Sequence, residues 1–205
     1  MSEQLIWRRK ELTEIRAMID GSRDNLSRRS TLLRAGVALL YAHWEGFIKI
    51  AGTYLLEYIA EQRCINADLS PNILSISLRK QLNSAKNAKS HSATVELVEF
   101  FSTKMQSRAR LTTKGVVDTA SNLSSSVLFE ILWTLGIDKA EYQTKKILID
   151  ERLVNQRNYI AHGEPLSISV DDYLELYDEI LALMDTFRNQ VENACVNKTF
   201  LRVPP

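Results

Sequence analysis

Two cysteines in 205 residues, Cys64 and Cys195, give neither a metal-ligand spacing nor a disulfide framework. Their simplest reading is a pair of reduced thiols in a cytoplasmic protein. Glycine (7) and proline (4) are scarce, and no segment alternates apolar and polar residues between turn signals, which excludes a sheet-rich fold. The richest apolar stretch, Ala35 to Ala60, is broken by His43, Glu45, Lys49 and Glu57, so no membrane span is expected. Glu3, Arg8, Arg9 and Glu11 interrupt the N-terminal apolar residues and exclude a signal peptide. With 26 basic against 25 acidic residues, the net charge of +1 supplies no global field toward nucleic acid. Glycine-rich phosphate loops, cysteine/histidine clusters and nucleophile elbows are all missing, so neither a cofactor nor a metal is expected.

What is present is the composition of an ordinary globular protein, 45% hydrophobic and 25% charged, and one domain over residues 1–205 is expected. Helices are expected over about 3–20, closed by Gly21, and about 25–62, with Asp24 or Ser27 as cap. Ser70-Pro71 opens a short helix toward Ala88, and Thr94 to Met105 forms another. Residues from about Gln106 to Ser121 lack a period and read as loop, with room for a short extended pair. Ser124 caps a helix that ends at Gly136, and a motif-bearing helix follows Asp138. The last helix starts at Ser169, where Asp172 imitates a capping box, and reaches about Asn197. The fold class is therefore all-α.

Charge is unevenly spread. Residues 79–121 form a basic, partly irregular mid-region; from Arg79 to Lys114, Arg79, Lys80, Lys86, Lys89, Lys104, Arg108, Arg110 and Lys114 face only Glu96 and Glu99. From Glu164 to Glu192 eight carboxylates face Arg188 alone. The first region can track a phosphate backbone and the second can meet a basic partner, unless both are simply solvated faces.

The segment Arg157-Asn158-Tyr159-Ile160-Ala161-His162-Gly163 carries the chemistry. Between Ala140 and His162 there is no proline or glycine, and Ile147, Val154 and Ala161 recur at spacing seven, which predicts one apolar stripe. Gly163 can adopt the left-handed conformation that closes a helix, and Pro165 cannot continue one. Arg157 falls near the apolar stripe and needs a partner there. Asn158, one turn below His162, can hold the imidazole in one tautomer. Five residues correspond to about 140° of rotation, so Arg157 and His162 share a face only through local unwinding or a cleft that spans both faces. Arginine and histidine together suit acid/base chemistry on a phosphate.

In the second helix Ala35, Ala38, Ala42 and Gly46 form a small-residue stripe that lets another helix approach. Val37, Leu40, Tyr41, Trp44, Phe47, Ile48 and Leu55 supply bulk. Glu45 is costly among them unless paired. Its natural partner is Arg157, in a structural ion pair or as part of a site. His43 reads as a satisfied core histidine.

These residues resemble the HEPN superfamily, whose ribonuclease members carry an arginine, four to six intervening residues and a histidine, usually with a polar residue after the arginine. The string RNYIAHG has that form. RAGVALLYAHWEGFIKIAG, residues 34–52, is similar to the long early helix of the MAE_28990-like and RiboL-PSP-associated HEPN groups, and WTLGID, residues 133–138, also fits. The resemblance implies a helical bundle with a long early helix and a C-terminal motif-bearing helix pair, dimerising so that two motifs line one cleft. It further implies metal-independent cleavage of RNA by the ribose 2′-hydroxyl. His162 would move the proton, Arg157 would neutralise the phosphate, Asn158 would position either, and Glu45 would contact the motif.

The function expected on these grounds is an endoribonuclease of a bacterial toxin-antitoxin or antiphage defence system. Its partners would be an RNA substrate, a second copy of the chain and an antitoxin or regulatory protein. The alternatives are a non-catalytic HEPN binding module in a defence complex, and an RNA- or nucleotide-binding accessory protein.

Overall fold

The computed structural model describes residues 1–22, 24–79, 82–83 and 91–203. Their regular structure is all helical: α1 (Ser2–Asp20), α2 (Leu26–Glu61), α3 (Pro71–Ser77), α4 (Ser92–Glu99), α5 (Ser125–Leu135), α6 (Ala140–Gln143), α7 (Gln156–Ala161) and α8 (Val170–Val196). A π-helical turn over Phe100–Lys104 continues α4, and a longer π-helix, Leu148–Asn155, leads into α7. The only extended pairings among the described residues are two isolated antiparallel bridges, Ile65 with Arg108 and Leu69 with Leu201. Arg108 thus pairs with the segment after α2 rather than within its own loop.

Helix ends follow local chemistry. Asn25, not Asp24 or Ser27, caps α2, because its Oδ1 reaches the Arg28 N–H at 2.9 Å. Ser70 and Pro71 open α3 as expected, and α3 ends at Ser77; the expected continuation to Ala88 falls on residues outside those described. Ser124 Oγ accepts from the Val127 N–H at 3.4 Å. Ser169 Oγ accepts from Asp172 N–H at 3.0 Å, the capping half of the expected box, and donates to the Asp172 carboxylate at 2.5 Å.

The chain divides into two compact units. One comprises residues 1–51, 119–129 and 139–189. Its core takes Leu12 and Ile19 from α1, Val37, Leu40, Trp44, Phe47 and Ile48 from α2, and Tyr173, Ile180, Met184 and Phe187 from α8, all buried. Each large apolar side chain buried here contributes roughly 1.5–3 kcal/mol. Ala35 and Ala42 are exposed, so the bulky stripe of α2, not the small one, faces this core. The close approach is made at Gly36, where a Cβ would lie 2.8 Å from the Tyr173 ring. His43 is buried with Nε2 2.6 Å from Glu11 Oε2 and its ring edge-on to Trp7, a core histidine as expected.

The acidic α8 finds its basic partners within the chain. Asp178 pairs with Arg16 at 3.3 Å, Glu179 with Lys145 at 2.6 Å and Glu175 with Arg152 at 3.0 Å, and Asp185 bonds Arg9. Arg152 holds the Glu175 carboxyl below its usual range.

The other unit comprises residues 52–118, 130–138 and 190–205. Leu55, Leu56 and Ile59 of α2 are buried with Ile73 and Leu74 of α3. A Cβ on Gly52 would lie 3.0 Å from Leu135 and 3.1 Å from Val117, so this stretch of α2 is tightly covered. Cys64 and Cys195 are free thiols. Of the basic mid-region, Lys80, Lys86 and Lys89 lie outside the described residues.

The motif-bearing segment departs from expectation upstream of Arg157. A single α-helix would bury Ile147, Val154 and Ala161 together. Instead Ile147 is 75% exposed, Ala161 is exposed and Val154 is buried. The π-helix explains this, since each i→i+5 turn takes in about one residue more than the α-helical 3.6 and breaks a seven-residue stripe. Ile149, Leu153 and Val154 become the buried set.

Candidate functional site

All four expected site residues belong to the first unit. α7 places Arg157, and its side chain turns onto α2: the guanidinium lies over the Tyr41 ring at 3.9 Å from the centroid. Nη2 donates to Asn122 Oδ1 at 2.8 Å and to Ser121 O at 3.3 Å. Nε is buried without a partner, and Nη1 makes no hydrogen bond among the described residues. Arginine suits this position because its flat cation can stack on a phenol and still fork toward oxygens.

Those oxygens are presented by a strained turn. Ala120 (φ 52°) and Ser121 (φ 55°) are consecutive non-glycine residues in the left-handed region, which costs about 1 kcal/mol or more apiece. Asn122 N–H closes the turn on Thr119 O at 3.0 Å. The turn is tied to α2 at two further points. Leu123 N–H donates to the Tyr41 hydroxyl at 2.8 Å, and Thr119 Oγ1 donates to Glu45 Oε1 at 2.5 Å. Tyr41 also hydrogen-bonds Glu45, one helical turn along α2. Burial is the chief reason the Tyr41 hydroxyl titrates above its ordinary range; Glu45 adds to the shift, and the Leu123 N–H and Arg157 oppose it.

Glu45 is therefore partnered, but not as the sequence implied. Among the described residues it forms no ion pair with Arg157; Tyr41 and Thr119 hydrogen-bond its carboxylate, and the Tyr41 ring in turn carries the guanidinium. Asn158 is half-buried and accepts the His162 N–H through its backbone carbonyl at 3.0 Å, while its amide side chain makes no bond to the imidazole. The helical geometry dictates this, because the backbone bond between positions four apart forms whatever their side chains do.

His162 terminates α7. Gly163, at φ +74°, sends its N–H to Ile160 O at 3.1 Å, and Glu164 sends its N–H to Tyr159 O at 2.9 Å. This pair of bonds is a Schellman stop, as the sequence implied. His162 is exposed and its imidazole is engaged by no other described residue. Between Arg157 and His162 the helix is regular, so local unwinding, one of the two ways they could share a face, does not occur there; the wide turns lie before Arg157. The two residues consequently point to different surroundings.

Tyr41, Thr119, Ser121 and Asn122 were missed by sequence reasoning. Tyr41 carried a signal, four residues before Glu45 on the same helix face. Residues 119–122 carried none, since their role depends on a turn of two non-glycine residues.

A family model described as HEPN_MAE_28990-like HEPN matches residues 1–200. The chain belongs to this HEPN family. Its all-α structure is that of a HEPN-like helical bundle, with the long early helix α2 and the motif-bearing α7 followed by α8. Membership of the HEPN superfamily suggests an RNase-like or defence-associated function. No curated protein and no solved structure matches this HEPN chain. Among the described residues no helix is long and apolar enough to cross a membrane.

Proposed function

We propose that this HEPN chain is a metal-independent endoribonuclease acting in a bacterial toxin-antitoxin or antiphage defence system, restrained by an antitoxin or regulatory protein. The observation that carries the proposal is the pairing, on one short helix, of a fixed arginine that has Nη1 to spare with an exposed histidine at the helix stop. RNA cleavage needs both. An imidazole accepts the proton of the ribose 2′-hydroxyl as its oxygen bonds to phosphorus. The bond from phosphorus to the 5′-oxygen then breaks, and that oxygen takes a proton to leave as a hydroxyl. Arg157 offsets the charge gathering on the phosphate oxygens. One histidine cannot readily be base and acid in one step, so a homodimer that brings two motifs to one cleft supplies the second imidazole. Asn158 can bond a phosphate oxygen, and Glu45 acts through Tyr41 as a positioning residue.

A non-catalytic binding module is the second reading. It is favoured by the occupation of Arg157 Nη2 and of its ring face by contacts within the chain. Purified protein incubated with end-labelled RNA in EDTA separates the two. Cleavage that leaves 2′,3′-cyclic phosphates and 5′-hydroxyls, and is lost in His162→Ala, is expected. Intact RNA under all conditions, with retained RNA binding, would favour the module.

A further inference from the structure

The second unit holds a cavity of about 700 Å³ that is separate from the arginine-histidine motif. Lys104, Arg108 and Arg110 line it, and among the described residues no carboxylate does. None of the three cations forms an ion pair among the described residues. Converging like charges repel one another, and a bound anion relieves that repulsion.

The backbone that carries these cations is held in place. The segment after α4 is zipped to the segment after α2: Asn66 N–H donates to Ser107 O at 3.0 Å, Ala67 N–H to Met105 O at 2.9 Å and Ala109 N–H to Cys64 O at 2.9 Å. Arg108 pairs with Ile65 in this stretch, and alternation along an extended chain puts Arg110 on the same side. Asn66, buried, locks the wall by donating to Lys104 O at 3.0 Å and Ser107 O at 3.2 Å while accepting from Ser77 Oγ at 2.9 Å. The Lys104 carbonyl also accepts from Ser107 N–H and Oγ, so the partial negative charge at this helix end is already satisfied.

Size decides the class of ligand. Small-molecule sites occupy about 300–1,000 Å³, far more than an inorganic ion fills. Ala60, Phe100 and Leu111 provide apolar lining beside the cations. We propose that this cavity binds an organic phosphate of mononucleotide size, with its phosphate on Arg108, Arg110 and Lys104 and its body against Ala60, Phe100 and Leu111. Arginine forks match phosphate oxygens two at a time. A free nucleotide and the phosphorylated end of an RNA strand share this chemistry.

The test is calorimetric titration of the full chain with AMP, with adenosine, and with an RNA hexanucleotide carrying either a 5′-phosphate or a 5′-hydroxyl. Arg108→Ala, Arg110→Ala and Arg157→Ala are compared with the unaltered protein, and circular dichroism checks that the exposed arginines can be removed without unfolding. AMP binding that weakens at least about tenfold in each of the first two variants, persists in Arg157→Ala and exceeds adenosine binding is expected. The same arginine dependence for the 5′-phosphorylated hexanucleotide alone would support the cavity and assign the strand end as ligand. Adenosine binding equal to AMP, indifference to Arg108 and Arg110, loss in Arg157→Ala, or no binding of any probe overturns the proposal.

Discussion

Arg157 and His162 stand five residues apart on one helix, yet one end of the motif is closed and the other open. Arg157 is stacked, hydrogen-bonded and walled by a strained turn, whereas His162 projects from a helix stop with no side-chain partner among the described residues. The contrast matches what each group would do. A charge that stabilises a phosphate gains from being fixed before the substrate arrives, because no reorganisation is then needed during reaction. A proton carrier must meet both substrate and solvent. The closed end consequently contributes to folding, whereas the open end makes no side-chain contact among the described residues on which folding could draw.

Substitutions can break that contrast. His162→Ala should give the largest effect, a loss of about 10²–10⁴-fold in RNA cleavage with little change in thermal midpoint. A large stability loss in this variant would mean that the open end is not open. Arg157→Ala should lose cleavage to a similar degree and also about 1–2 kcal/mol of stability, measured by urea unfolding. Arg157→Lys, which keeps the charge but not the flat fork, should recover only part of either. Tyr41→Phe should keep the stack but strip the Leu123 N–H of its acceptor, at about 1–2 kcal/mol. Glu45→Gln, which preserves an acceptor for Thr119 and Tyr41, should leave cleavage within a few-fold of normal. A loss as deep as that of His162→Ala would make Glu45 a catalytic residue instead.

The smallest effect concerns pH, and it checks that acid sensitivity arises away from the motif. Burial pushes the His43 imidazole down, with Glu11 pulling it back up and Arg8 lowering it further. Between the folded value and the unfolded value near 6.5, the unfolded chain binds more protons, so stability rises with pH in that window. Stability should fall as the medium is acidified below about pH 6.5 and level off beneath the folded value. In His43→Phe that component should vanish, as urea midpoints across the window would reveal.

The features legible in the sequence are those set by neighbours along the chain. The buried positions of α2 follow from their apolar residues, and the stop after His162 follows from Gly163. The family resemblance rested on these two stretches and on WTLGID, residues 133–138. Illegible were the features set by distant segments. The acidic face of α8 cannot announce that Arg9, Arg16, Lys145 and Arg152 will meet it. Ala120 and Ser121 resemble ordinary loop residues, although their left-handed backbone aims Ser121 O and Asn122 at Arg157. The expected pairing of Glu45 with Arg157 is not made; Tyr41, an ordinary core residue by its pattern, is the contact that both share.

The π-helix over Leu148–Asn155 also bears on ancestry. A wide turn of this kind is how a helix absorbs an inserted residue without moving what lies downstream. A homologue one residue shorter in this interval, with a regular α-helix in place of the wide turns, would keep Arg157 on Tyr41 and the inward face before Leu148 alike. An alignment that sets no gap within residues 148–155 would then match the motif correctly and misassign by one position the helix that precedes it. The place to look for a gap between lineages is this interval rather than the loops.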